Sequence, residues 1–89
     1  MAKLVAAAIR FYPKDNEYPV IVGGKRHCDC YEWMFKHQVE YDKLTQEQGF
    51  LTEENLFVDR YEAMYLAHNQ VLSPELYKPG SPLFSEDVW

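Results

Sequence analysis

Long apolar runs are missing from this sequence, none approaching the roughly 20 residues that a membrane-crossing helix requires, so no span is expected. Cysteine is scarce. The two that occur, Cys28 and Cys30, are separated by one residue, too close for an unstrained mutual disulfide, and they read as reduced thiols of a cytosolic protein. Positive charge is in deficit, with 9 Lys and Arg against 14 Asp and Glu for a net charge of -5. Such a chain repels duplex DNA, because non-specific affinity for nucleic acid comes from neutralising many phosphates. The opening MAKLVAAAIRFY has an early lysine and a short apolar run but no small-residue cleavage pattern, so no signal peptide is expected. Paired metal-ligand spacings are also missing. C-x-C with the scattered His27, His37 and His68 supplies no second pair, and no metal is expected.

What is present suffices for one folded domain. The 89 residues are 47% hydrophobic and 16% aromatic, too rich for a disordered chain, yet a chain this short buries a limited core. Self-association into a dimer or higher homo-oligomer is therefore expected. Charge is unevenly spread. Up to His27 there are five basic residues against two acids, and beyond it four against twelve, so a local basic spot for one or two phosphates coexists with an acidic remainder.

The pattern predicts an α+β fold: a small antiparallel β-sheet of two hairpins packed with two α-helices, and an extended C-terminal tail. Residues 3–12 alternate as a strand, with Val5, Ala7, Ile9 and Phe11 on one face and Leu4, Ala6, Ala8 and Arg10 on the other. The small-residue row on that second face invites close approach by another layer, either a helix of the same chain or a second subunit. A turn-rich segment at 13–17 leads to a partner strand over 18–22, which Gly23 and Gly24 break. Helical spacing of Tyr31, Met34, Phe35 and Val39 predicts a helix from Cys30 to about Tyr41, with Asp29 and Glu32 in capping-box positions. Residues 42–48 are polar and read as a link. The segments 49–52 and 56–58 bracket Glu53, Glu54 and Asn55 as a second hairpin. Asp59 and Glu62 repeat the capping box, and Ala63, Leu66 and Ala67 form the buried stripe of a second helix ending near Gln70. Residues 1–72 make the domain, and 73–89, rich in proline at first and aromatic among acids at the end, make a linker and docking tail.

Two places could carry chemistry. GGKRHCD, from Gly23 to Asp29, joins a strand end to a helix start, where glycines, unpaired N–H groups and the cations Lys25, Arg26 and His27 describe an anion site. The same letters also describe an ordinary solvated turn. In the second place, Phe50 offers a ring for stacking and Arg60 a planar fork for phosphate, while the bland alternative makes the hairpin core and pairs Arg60 with a nearby glutamate. Catalysis is not expected. His27 with Asp29 or Glu32, or Cys28 activated by His27, would lack an oxyanion hole and a second acid–base partner.

Taken together, VGGKRHCDC, EQGFLTEENLFVDRYEA, Gln70 and the closing LFSEDVW resemble the phage-encoded Thoeris anti-defence family of signalling-nucleotide sponges. The resemblance covers most of the chain from Leu4 onward. It implies a non-catalytic protein of the host-cell cytoplasm, without cofactor, that sequesters a cyclic ADP-ribose isomer intact, with cyclic oligonucleotides as further possible ligands. Carried over residue by residue, it implies Arg26 and Arg60 on the pyrophosphate, His27 beside them, Phe50 stacked on adenine, and Asp59 capping its helix or touching a ribose hydroxyl. The chain is short between Val39 and Gln48, which weakens the case for a second, oligonucleotide site. The alternative function is a small protein-binding inhibitor of a host protein, acting through the acidic half and the tail.

Overall fold

The computed structural model describes residues 3–14, 17–41 and 43–89. Two ββα units follow one another. β1 (Leu4–Phe11) and β2 (Val20–Gly24) form a hairpin followed by α1 (His27–Lys36), and β3 (Glu47–Thr52) and β4 (Phe57–Asp59) form a second followed by α2 (Arg60–Leu66). Antiparallel pairing of β1 with β3 joins the hairpins into one sheet of order β2-β1-β3-β4. The α+β architecture expected from the pattern is thus present. The turn expected at 13–17 includes Asp15 and Asn16, and the link at 42–48 includes Asp42, all outside the described residues.

Ala7, Ile9 and Phe11 point to the helices, as the alternation of β1 predicts, but the first residues of the strand exchange roles. A register shift between Leu4 and Ala6 rotates the strand, so Leu4 is buried and Val5 is 53% exposed. A bulge inserts one residue and resets the period of two, which alternation alone cannot reveal. Two apolar clusters result. Leu4, Ala7 and Phe50 pack with Ala63, Met64 and Ala67 around α2, while Ile9, Phe11 and Val22 pack with Cys30 and Met34 of α1.

α1 begins three residues earlier than expected. Arg26 is its extended N-cap residue, and Asp29, three positions into the helix, accepts the Arg26 backbone N–H at 3.1 Å. The helix also stops earlier, because Gln38 turns into the left-handed region at φ 51 and Val39 N–H then bonds Met34 O. Phe35, placed on the buried stripe by spacing, is 85% exposed. Asp59 caps α2 as expected, accepting Glu62 N–H at 2.8 Å. α2 is shorter than its sequence pattern, giving way to a 3-10 turn at Ala67–Asn69.

Gly23 and Gly24 do not break β2; they pair with Ala8 and Ala7 inside it. Their value is room. A Cβ on Gly23 would lie 3.1 Å from Leu51 Cδ1, and one on Gly49 would lie 2.4 Å from Phe57 Cζ. Gly23, Ala8 and Gly49 are neighbours across three strands. On this face, away from the helices, Leu51 and Phe57 occupy the space beside Gly23 and Gly49, and the Arg10 guanidinium stacks 4.4 Å from the Phe57 ring. Of the row Leu4, Ala6 and Ala8, Leu4 is turned to the other face and packs with α2.

The segment after α2 folds back on its own chain. Leu72 N–H bonds Asp87 O, Leu83 N–H bonds Arg60 O, and Leu83 and Val88 are buried in the α2 cluster. Gln70 clamps the backbone of Leu4, accepting its N–H at 2.8 Å and donating to its carbonyl at 2.9 Å. Among the described residues, no helix is long and apolar enough to cross a membrane.

Candidate functional site

Strand register decides where the two helices start. Gly24 pairs with Ala7, Ala7 with Phe50, and Phe50 with Val58, so β2 and β4 reach their helices at adjacent rows of the sheet centre. Three interstrand spacings separate those strand ends, roughly 14 Å. From the start of α1, His27 reaches across to Gly49 of β3. The Arg60 charge is felt at His27, where it opposes protonation.

His27 is buried, and its Nε2–H donates to Gly49 O at 2.8 Å, since a carbonyl can only accept. The ring stands edge-on to Phe50, with centroids 5.2 Å apart. Burial pushes the imidazole below its ordinary value, the Gly49 bond resists that shift, Arg60 adds to it, and Glu86 opposes it. His27 therefore favours its neutral form, which removes one cation from the basic spot that GGKRHCD suggested.

The closing segment occupies the space above these residues. Arg26 Nη2 donates to Trp89 O at 2.6 Å, and His27 N–H is 3.4 Å from Ser85 Oγ. The Trp89 ring lies 6.0 Å from Phe50, and Arg60 stands 5.6 Å from the Phe84 ring. Of the five residues singled out from the sequence, four are thus gathered around one strap of the chain. Phe50 has no exposed surface, so its ring is a core element with no face open to stack on a ligand. Arg26 serves first to anchor the strap.

Arg60 and Asp59 border something different. Between α1 and the start of α2, where the two apolar clusters part, lies a groove of about 440 Å³ lined by Tyr31, Gln46, Glu47, Gln48, Asp59, Arg60 and Tyr61. That is within the range of about 300–1,000 Å³ typical of small-molecule sites. It offers two tyrosine rings, one guanidinium, carboxylates and two amides. Tyr31 Oη links the amides, donating to Gln46 Oε1 at 2.7 Å and accepting from Gln48 Nε2 at 3.2 Å. Tyr31, Gln46, Gln48 and Tyr61 were not picked out from the sequence. The usable signal was Gln48, which lies in β3 although inside the segment read as a link, two positions before Phe50 and on the same face of the strand.

Cys28 is exposed and Cys30 buried, both free; burial, with Asp29 nearby, raises the Cys30 thiol to about 11. Among the described residues, no group of three or more His, Cys, Asp or Glu is placed to hold a metal ion. Compared with known proteins, the chain matches from residue 3 to 89 the profile of a family described as Phage T4 y16D protein. Neither the curated proteins nor the solved structures give a match.

Proposed function

Since the chain belongs to the phage T4 y16D protein family, we propose that it is a phage anti-defence sponge, binding an immune signalling nucleotide of the cyclic ADP-ribose type and holding it without cleavage. The observation that carries this reading is the groove in which Arg60 and Asp59 face Tyr31 and two amides. A guanidinium suits a pyrophosphate, a carboxylate suits a ribose diol, and tyrosine faces suit a base. Commitment of His27 Nε2 to Gly49 supports capture over hydrolysis, because the group best suited to move protons is spent on the backbone. Phe50 is left out of the ligand contacts, and Arg26, bonded to Trp89 O, lies outside the groove lining. The site is open on one side, which favours a homo-oligomer whose second subunit completes the enclosure, in the host-cell cytoplasm. The inhibitor reading has less support, because Leu83 and Val88, the apolar residues a tail would offer a host protein, are buried in its own core.

Calorimetric titration with a panel of cyclic ADP-ribose isomers and cyclic dinucleotides tests the proposal. One adenine-containing isomer should bind and be recovered intact by mass spectrometry after heat denaturation. Arg60→Ala should weaken that binding roughly ten- to hundredfold, as loss of a charge-assisted bond does. No binding across the panel, or recovery of a hydrolysed product, refutes it.

A further inference from the structure

The two amides on the groove floor are held in opposite senses by a single hydroxyl. A tyrosine hydroxyl has one proton, so when it donates to one amide oxygen it can only accept from the N–H of the other. Gln46 gives its oxygen to Tyr31 at 2.7 Å and Gln48 its nitrogen at 3.2 Å. The remaining half of each amide, the Gln46 NH2 and the Gln48 carbonyl, bonds no described residue, and both side chains line the groove. Both amides bond the same hydroxyl, which sets this donor and this acceptor near each other.

Resting on the nucleotide reading above, we infer that Tyr31, Gln46 and Gln48 form a base-edge reader that selects adenine over hypoxanthine. Adenine presents an N6 donor beside the N7 acceptor. N6 meets the Gln48 carbonyl and N7 the Gln46 NH2. Hypoxanthine carries an oxygen where adenine has its amino group, so it sets acceptor against acceptor at Gln48. Unlocked amides would rotate to suit either base; the shared hydroxyl prevents that by tying both rotations together. Tyr31 is in this sense a specificity-determining residue acting through the two glutamines.

Each cyclic ADP-ribose isomer is titrated beside its hypoxanthine counterpart, cyclic inosine diphosphate-ribose, into the wild-type protein, Tyr31→Phe and Gln48→Glu. The wild type should prefer adenine by roughly tenfold or more, the scale of leaving a bound polar group facing a like one. Tyr31→Phe keeps the ring and frees the amides, and should bring the two affinities to within about twofold while melting temperature stays near wild type. Gln48→Glu presents an acceptor in either rotation, so it needs no lock and should keep the adenine preference. Equal wild-type affinity for the two bases, or an undiminished preference in Tyr31→Phe, overturns the reader and leaves nucleotide capture standing. Failure of every nucleotide to bind overturns both.

Discussion

His27 and Gly49 are joined by a 2.8 Å hydrogen bond from imidazole Nε2 to a backbone carbonyl, across two elements 22 positions apart in the chain. The bond ties the first turn of α1 to the middle of β3 and needs only the neutral ring. Because burial lowers the His27 pKa, the unfolded chain takes up a proton in a range where the folded chain resists it. The contribution is whole above the ordinary value of 6.5 and is lost as pH falls from there through the lowered value of the folded state. Thermal melts between about pH 7.5 and 5.5 should show stability falling toward acid, and His27→Gln should flatten that dependence. An unchanged slope in the variant would assign the effect to other groups.

Gly49 is expected to tolerate no side chain. A Cβ there would sit 2.2 Å from Val58 O and 2.4 Å from Phe57 Cζ. The ring could swing away, but the carbonyl belongs to the β3–β4 ladder. Gly49→Ala should cost about 3 kcal/mol, at the upper end of overpacking, as read from denaturant midpoints. Gly80, with nothing within 4 Å of an added Cβ but φ +91, makes a contrasting control in which strain acts without crowding.

The clamp of Gln70 on Leu4 satisfies two backbone groups at the bulge that turns Val5 outward. Removing it in Gln70→Ala leaves a half-buried N–H and carbonyl short of partners, for an expected loss of about 2 kcal/mol. Amide exchange at Leu4 should accelerate more than at Ile9, deep in the same strand. Uniform acceleration would mean that the clamp stabilises the fold as a whole and not the bulge.

The two thiols should separate under alkylation. Cys28 is exposed, whereas Cys30 is buried, its thiol raised to about 11 and in contact with Ala7 O at 3.7 Å. Iodoacetamide at neutral pH should add one group to the native protein and two after denaturation, counted by mass.

Capping and alternation made much of the fold legible. Asp59 and Glu62 marked the start of α2, and Glu53, Glu54 and Asn55 marked the β3–β4 turn, where Asn55 has φ 64. Local chemistry was weaker wherever a residue could serve two positions. Asp29 suits both N-cap and the third helical residue, so α1 was placed three residues late. Of the candidate site, Arg60 and Asp59 do border a groove, but the floor was hidden because Gln46 and Gln48 sit where polarity suggests a link.

Local sequence by itself determined the elements: which segments alternate as strands, and where Asp59 begins a helix. Those properties depend on near neighbours along the chain. Only the tertiary structure decided that Phe50 is sealed in the core, that Arg26 holds Trp89, and that Tyr31 orients two glutamines. Each of these depends on strand register and on a bulge, which bring together residues far apart in sequence, and no local periodicity encodes which of them will meet.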